Sequence, residues 1–149
     1  MSNYDCTNDV KQHMRFVKRY IDKIALKLVY RSVEHDASKL QEPEKSMFDK
    51  WRPVLDTVEF GGEEYKAALA GMGEGLKHHY EANRHHPEHF ENGVAGMTLI
   101  DVVEMASDWK AAAFMKGEDV NIEYLTKRFG LSEQLVDIIE NTLKWFDEE

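Results

Sequence analysis

The sequence predicts an all-α protein, and two observations support this fold class. Apolar residues recur at helical spacing along most of the chain, whereas strand-like alternation is scarce. Polar capping residues and helix-ending glycines or prolines separate the periodic segments. The chain has 149 residues, which is the usual size of one domain. We therefore expect a single compact helical bundle of six or seven helices over residues 1–149.

The first predicted helix starts near Asn8 or Asp9, either of which can cap it, and runs to about Arg31. A short second helix carrying His35-Asp36 follows it. One face of the first helix is an apolar stripe, formed by Val10, Met14, Val17, Ile21, Ile24 and Leu28.

Proline and glycine residues delimit the next two predicted helices. Pro43 suits the first turn of a helix, and Pro53 bends or ends that helix. After a loop at Phe60-Gly61-Gly62, a longer helix covers residues 63–83. Three glycines weaken its middle and predict a kink or a break there: Gly71, Gly73 and Gly75.

Three capped helices complete the prediction, after a long irregular stretch at residues 84–96. The capping residues are Thr98, Asn121 and Ser132. Asp101 allows a capping box at the first of these helices, which runs to about Lys116, and Gly130 ends the second. The last helix is expected to face inward through Leu135, Ile138, Ile139, Leu143 and Phe146.

The composition is typical of a globular protein, with 42% hydrophobic and 32% charged residues. A net charge of −9 argues against binding to an extended nucleic acid but allows a small anionic substrate beside a metal ion. Cys6 is the only cysteine, which excludes an internal disulfide and cysteine-based metal sites. No signal peptide or membrane-spanning stretch is visible, so we expect a cytoplasmic protein. The apolar stripes fit a core as well as the face of a homodimer.

Histidine and aspartate residues form an ordered pattern along the chain. The adjacent pair His35-Asp36 offers one metal ion a nitrogen and an oxygen ligand from a single stretch of backbone. Five of the seven histidines lie within residues 78–89, His13 precedes the pair, and Asp108 follows the block. Imidazole and carboxylate together suit Mn²⁺, Fe²⁺, Co²⁺, Ni²⁺ or Zn²⁺. The pattern therefore predicts a buried metal centre.

Parts of this pattern also have explanations that need no metal. A buried histidine on a helix, such as His13, is more often a hydrogen-bonded core residue than a ligand, and a histidine-rich loop can simply be solvated. Asp108 is harder to explain in this way, because Met105, Trp109 and Ala112 place apolar bulk one turn to either side of it. A carboxylate at the edge of a core requires a partner. Taken together, the ordered set favours metal binding.

The string His35-Asp36-Ala37-Ser38-Lys39 resembles the His-Asp-x-Gly-Lys motif of the HD superfamily of metal-dependent phosphohydrolases. That superfamily places a histidine on one helix, the His-Asp pair on the next, and an aspartate on a later helix. The resemblance implies a helical bundle in which His13, His35, Asp36 and Asp108 are the first set of metal ligands.

Over residues 13–112, the chain is similar to an uncharacterised family of small phage and bacterial proteins. Its three motifs are His-Asp-x-Ser-Lys, His-His-x-x-x-Asn-x-His-His-Pro and Glu-Met-x-x-Asp-Trp, found here at residues 35–39, 78–87 and 104–109. Segment 78–81 also resembles the His-His-Glu segment of the HD-GYP branch, which hydrolyses cyclic dinucleotides with two or three metals. Because no Gly-Tyr-Pro follows that segment, we expect one or two ions.

The resemblance suggests further ligands on the long helix. His79 shares a face with Met72 and Leu76 and is the best additional ligand. His78 points about 100° away on an α-helix, so it reaches a second metal ion only if the helix breaks there.

Catalytic and substrate-binding roles are expected close to the metal. Lys39 would pair with a phosphate oxygen as a point charge, unless it is a plain surface lysine. Glu104, one turn before Asp108, would orient a metal ligand. Four residues of the loop would bind phosphate, and the histidines among them could pass a proton to the leaving group: Arg84, His85, His86 and His89.

These features predict a hydrolase for a phosphate ester, most simply a nucleotide, in which Asp36, Lys39, His85 and His86 take part in catalysis. A metal in such a site lowers the pKa of its bound water and polarises phosphoryl oxygens. Two other functions stay open. One is a di-iron oxygenase of the HD type, and the other is a metal-stabilised module that binds a nucleotide or a protein without catalysis.

Overall fold

The protein is all-α. A computed structural model describes residues 4–148, within which every regular element is a helix. The α-helices are α1 (Thr7–Glu34), α2 (Glu44–Leu55), α3 (Glu63–Ala82), α4 (Leu99–Lys116), α5 (Ile122–Phe129) and α6 (Glu133–Phe146). Short 3₁₀ helices cover Ala37–Leu40, Pro87–His89 and Gly93–Gly96.

Two compact units, Met1–Glu34 and His35–Glu149, divide the chain at the end of α1. The length of the chain predicts a single domain, whereas the contacts between residues divide the chain into these two units. The first unit consists mainly of α1, which has 28 residues and no buried residue. The apolar stripe predicted for this helix is largely exposed, and His13 is exposed beside it. Within residues 4–148, no helix combines the length and the apolar character needed to cross a bilayer.

The core of the second unit lies where α4 packs against α6. Met105 of α4 and Ile139 of α6 are 0% and 1% exposed. Four of the five residues predicted to face inward from α6 are buried or partly buried, but Ile138 is 55% exposed. Val136 packs against the core instead, because the buried face of α6 is centred on Ile139 and Leu143.

Glycines allow α2 and α3 to approach each other closely. A Cβ atom at Gly71 would overlap the ring of Trp51, and one at Gly75 would lie 2.8 Å from the side chain of Met47. Gly73 has φ +52° and ψ −129°, which interrupts the helical geometry of α3 and is accessible to glycine at little cost. The kink predicted from these glycines is therefore confirmed.

Side-chain caps begin the last three helices, as the sequence predicts. The Thr98 hydroxyl accepts a hydrogen bond from the backbone N–H of Asp101, whose carboxylate accepts one from the N–H of Thr98 at 2.8 Å. This is the predicted capping box. Asn121 and Ser132 cap α5 and α6 through their side-chain oxygens, and Gly130 ends α5 in the left-handed conformation.

The pair His35-Asp36 lies in a turn, where the sequence predicts a short helix. Helix α1 continues to Glu34, and Asp36 then adopts φ +57° and ψ 13°. This left-handed conformation ends a helix, and aspartate tolerates it better than most residues. The 3₁₀ helix Ala37–Leu40 follows directly.

Candidate metal centre

Four segments of the second unit bring histidine and aspartate side chains together. His35 and Asp36 come from the turn before the 3₁₀ helix, and His79 comes from the last turn of α3. The loop after α3 adds His85 and His86, and α4 adds Asp108.

These six residues form two groups, each of which could hold a metal ion. The deeper group is Asp36, His79, His85 and His86, and the outer group is His35, Asp36, His85 and Asp108. Within each group the potential ligand atoms all lie within 4.8 Å of one another. Asp36 and His85 belong to both groups, so the two potential sites are adjacent.

The two oxygens of Asp36 face different partners. Oδ1 lies 3.6 Å from Nε2 of His79 and 3.5 Å from Nε2 of His85. Oδ2 lies 3.4 Å from Nε2 of His35, which in turn lies 3.5 Å from Oδ1 of Asp108. A single carboxylate thus contributes to both groups, with one oxygen toward the deeper histidines and the other toward His35.

These spacings fit a metal ion. Two ligand atoms on one tetrahedral ion, each bound at about 2.1 Å, lie about 3.4 Å apart. Two of the atoms also need a partner, because Oδ1 of Asp36 and Nε2 of His85 are buried and accept or donate no hydrogen bond within residues 4–148. Buried polar atoms are costly unless they are paired. A cation between them would satisfy both atoms.

Glu104 lies beside two of the histidines. Its Oε1 atom lies 3.0 Å from Nδ1 of His35 and 3.2 Å from Nδ1 of His85, although the second contact lacks good hydrogen-bond geometry. A carboxylate beside Nδ1 keeps a proton on that nitrogen and leaves Nε2 free to bind a metal. The sequence predicts this orienting role for Glu104, and it stays a prediction.

Glu44 has the same relation to His79. Its side chain is fully buried, and its Oε2 atom accepts a hydrogen bond from Nδ1 of His79 at 2.9 Å. The Nε2 atom of His79 is thereby left facing Asp36 and His86. Glu44 is not recognisable from the sequence, because an acidic residue in the first turn of a helix is explained equally well by the helix dipole.

Electrostatics differ between the two groups. Hydrogen bonds to Asp108, Asp36 and Glu104 raise the pKa of His35 to about 11. Burial alone would raise the pKa of Asp36, but His35 and Lys39 outweigh it and hold that pKa well below its usual range. Without a metal, a proton on His35 therefore balances the surrounding carboxylates.

His79 and His86 have pKa values below that of a free histidine. Burial, together with the neighbouring His85 and His79, lowers the pKa of His86 to about 2. Burial also lowers the pKa of His79, with a further contribution from Lys39. Neutral imidazole is the form that binds metals, so this group is ready to accept an ion without first losing a proton from these two rings.

The structure brings together four of the six predicted metal ligands: His35, Asp36, His79 and Asp108. His13 lies on α1 in the first unit, so its role as a ligand stays a prediction. His78 lies outside both groups, and its Nδ1 atom contacts Glu44 at 2.7 Å. His85 and His86, predicted to act from a loop on the substrate, instead belong to the ligand groups, because the loop folds back over the end of α3.

The other predicted substrate contacts divide in two. Arg84 donates hydrogen bonds to both carboxylate oxygens of Asp101, the second member of the capping box, at 3.2 and 3.1 Å. Its guanidinium group also lies over the ring of Phe90. His89 contacts the backbone carbonyl of Tyr80 at 3.0 Å. These contacts favour structural roles for Arg84 and His89.

Lys39 alone among the predicted substrate contacts borders the ligand groups without belonging to them. Its Nζ atom lies 2.5 Å from Oδ2 of Asp36 and 4.7 Å from the ring centre of Phe48. Its side chain is 33% exposed, so the ammonium group lies between the ligand groups and solvent.

The loop histidines could have been recognised as ligands from a weak signal. His85 and His86 follow Asn83 closely, and Pro87 begins a new 3₁₀ helix, so the chain must turn sharply just after His79. A tight turn keeps nearby side chains close together. Sequence spacing alone does not give the direction of that turn, which the contacts between the loop and the end of α3 show.

A family model described as "Family of unknown function (DUF5662)" matches residues 2–145. The match covers almost the whole chain, so the chain belongs to this family. No curated protein and no solved structure matches the chain significantly.

Proposed function

We propose that this member of DUF5662 is a metal-dependent phosphohydrolase that acts on a nucleotide or a related small phosphate ester. The observation that carries the proposal is the pair of four-residue ligand groups that share Asp36 and His85. Four imidazoles and two carboxylates favour a transition-metal ion over Mg²⁺ or Ca²⁺, which prefer oxygen ligands. The groups have room for one or two such ions.

The exposure of the ligands supports a reaction site in preference to a purely structural metal site. His85 and His79 are 1% and 2% exposed, whereas the side chains of His35 and Asp108 are 28% and 27% exposed. One side of the centre is therefore buried and fixed, and the other can admit solvent and a small substrate. Structural sites are usually closed on all sides.

A bound divalent ion would supply Lewis-acid stabilisation of phosphoryl oxygens and an acidified water. The chain's own residues would supply the rest. Asp36 and His85 would hold the two halves of the centre together, and Glu104 would fix the rings of His35 and His85. Lys39 is close enough to Asp36 to move its ammonium group onto a phosphate oxygen of the substrate.

The test is a metal and turnover analysis of the full chain. Bound metals are measured by mass spectrometry, and the same protein is assayed by chromatography against nucleoside mono-, di- and triphosphates with Mn²⁺, Co²⁺, Ni²⁺ or Zn²⁺. We expect metal-dependent release of phosphate that Asp36→Asn abolishes. Asp49→Asn is the matched control, because Asp49 is exposed and, within residues 4–148, forms its ion pair with Lys45 one turn away. Metal binding without turnover of any phosphate ester would overturn the hydrolase proposal.

A second function has specific support from the ligand composition. Two irons bridged by a carboxylate and surrounded by imidazoles are a common arrangement for oxygen chemistry, and Asp36 presents its two oxygens to different histidines. Iron as the bound metal, with oxygen consumption and no phosphate release, would favour this oxygenase over the hydrolase.

A further inference from the structure

Glu44 is a fully buried acidic residue that no sequence motif singles out. It lies at the start of α2, and its side chain is 0% exposed. A buried carboxylate is strongly unfavourable unless several donors surround it. The donors around Glu44 therefore indicate why the fold retains it.

Both oxygens of Glu44 accept hydrogen bonds. Oε1 accepts one from Nδ1 of His78 at 2.7 Å, and Oε2 accepts one from Nδ1 of His79 at 2.9 Å and one from the Ser38 hydroxyl at 2.9 Å. His78 and His79 are adjacent on α3 and point in different directions, so one carboxylate on the facing helix α2 fixes two consecutive rings.

A second layer of contacts holds this arrangement. The side-chain amide of Asn83 donates to the Ser38 hydroxyl at 2.8 Å and to the backbone carbonyl of His79 at 2.9 Å. These bonds tie the end of α3 to the 3₁₀ helix that follows Asp36. The network therefore connects the turn bearing Asp36 to the helix bearing His79.

The contacts also determine which nitrogen of His79 carries the proton. The side-chain nitrogen of Asn83 also lies 3.0 Å from Nδ1 of His79, but its two hydrogens are used in the bonds to Ser38 and to the His79 carbonyl. A carboxylate can only accept hydrogen bonds, so the contact with Glu44 places the proton of His79 on Nδ1. Nε2 is then unprotonated and lies 3.6 Å from Oδ1 of Asp36 and 2.8 Å from Nε2 of His86. This is the tautomer and orientation that a metal ligand requires.

We propose that Glu44 is a positioning residue for the deeper of the two ligand groups, acting through His79, and that His78 completes its hydrogen bonding from the partly exposed side. This inference rests on the proposed metal centre. In this inference His78 supports the metal centre by its hydrogen bond to Glu44 and is not itself a metal ligand. His78 is suited to this place because its side chain is 47% exposed.

The test compares metal affinities of Glu44→Gln and the wild-type protein. Co²⁺ is added in competition with a chromophoric chelator, and its visible absorption reports the ligand geometry. Glutamine has the same shape but only one accepting oxygen, so it cannot accept hydrogen bonds from Nδ1 of both His78 and His79. It also lacks the negative charge that favours the Nδ1–H tautomer of His79. We expect the affinity of the deeper group to fall about 10- to 100-fold, with a changed Co²⁺ spectrum and little change in binding at the His35–Asp108 group.

His78→Gln is the graded companion variant. It removes the contact to Oε1 and keeps the contact from His79 to Oε2, so we expect a smaller loss of affinity than in Glu44→Gln. Glu42→Gln is the matched control, because Glu42 is exposed and contacts only the Ser46 hydroxyl in the described chain. Unchanged Co²⁺ affinity and spectrum in a folded Glu44→Gln protein would overturn the inference.

A measurement on the wild-type protein covers the case in which Glu44→Gln does not fold. Long-range ¹H–¹⁵N spectra of the histidine rings report the tautomer of each ring. We expect His79 to be protonated at Nδ1 both with and without metal. A proton at Nε2 in the metal-free protein would refute the role of Glu44 without affecting the proposed function. A wild-type protein that binds no metal at all would refute both.

Discussion

The Nε2 atoms of His79 and His86 lie 2.8 Å apart inside the protein. The Nδ1 atom of His79 donates to Glu44, so its Nε2 atom carries no proton and accepts a hydrogen bond from Nε2 of His86 in the metal-free state. An ion bound between the two rings would replace this hydrogen bond. Because two ligands of a tetrahedral ion lie about 3.4 Å apart, the two rings would have to move slightly apart when an ion binds between them.

Metal binding is expected to stabilise the fold, because the ligand groups exist in the folded chain and not in the unfolded one. With free ion at 100 times the Kd, the stabilisation is about 2.7 kcal/mol, equivalent to a rise in Tm of about 5–10 °C for a chain of this size. Differential scanning fluorimetry with and without EDTA measures it. Asp36→Asn should remove the shift and Asp49→Asn should retain it, whereas an equal shift in both variants would place the ion elsewhere.

Metal binding at neutral pH is expected to release a proton from His35. The raised pKa of His35, about 11, lies above its value of about 6.5 in an unfolded chain. The protonated ring therefore stabilises the metal-free fold fully below pH 6.5, and this contribution is lost as the pH rises through about 11. At pH 7.5 an incoming ion must displace this proton.

Calorimetry in two buffers of different ionisation enthalpy measures that release. We expect about one more proton released by the wild type than by His35→Gln, and metal affinity that increases with pH. His89→Gln serves as the control, because His89 lies outside both ligand groups. A binding enthalpy that is independent of the buffer would contradict the prediction.

Lys39→Met is expected to separate substrate binding from metal binding. The ammonium group of Lys39 lies 2.5 Å from Oδ2 of Asp36, where it competes with a metal ion for that oxygen. Its removal should strengthen metal binding, while KM for a phosphate substrate rises roughly 10- to 100-fold, since a hydrogen bond to a charged group contributes about 1.5–3 kcal/mol. Lys45→Met, a change in an exposed pair with Asp49, should alter neither quantity. A lower metal affinity in Lys39→Met would argue against this role.

Arg84→Gln is expected to reduce stability and leave KM unchanged. Asp101 is 1% exposed and takes part in the cap of α4 as well as the contact with Arg84. Loss of the guanidinium group should lower the free energy of unfolding by about 1–3 kcal/mol, measured by urea denaturation. Arg52→Gln is the control, because its exposed pair with Asp56 contributes less than about 1 kcal/mol. A raised KM at unchanged stability would restore Arg84 as a substrate contact.

Gly71→Ala is expected to destabilise the protein, although alanine is the better helix former. The gain in helix propensity is about 0.5–1 kcal/mol, but the added methyl group overlaps Trp51 of α2, and overpacking costs about 1–3 kcal/mol. Because α2 also carries Glu44, metal affinity should fall as well. Glu74→Ala, at a position with a 91% exposed side chain, should show neither effect, and a Gly71→Ala protein with wild-type stability and affinity would contradict this view of the α2–α3 contact.

Much of the fold follows from local chemistry that a sequence displays directly. Thr98, Asn121 and Ser132 have side chains that accept hydrogen bonds from free N–H groups, so they begin helices wherever an apolar periodic segment follows. Gly130 ends α5 and Gly73 kinks α3 because their backbones can adopt conformations that other residues avoid.

The pair His35-Asp36 shows where local reasoning stops. Helix propensity does not identify the residue at which α1 ends, and Asp36 enters the left-handed region instead of continuing in a helix. Similarly, Ile138 fits the inward stripe of α6 by spacing, but the position of α4 selects the face centred on Ile139.

By itself, the sequence determined the all-helical class, most helix boundaries and the kinds of ligand available, since these depend on residue type and on neighbours three or four positions away. Only the tertiary structure decided which histidines share an ion and which carboxylate orients each ring. His85 joins Asp36, and Glu44 joins His79, across 49 and 35 residues of chain. Such partnerships arise from the packing of α2 against α3 and the return of the loop after α3, and no pattern of neighbouring residues encodes those distances.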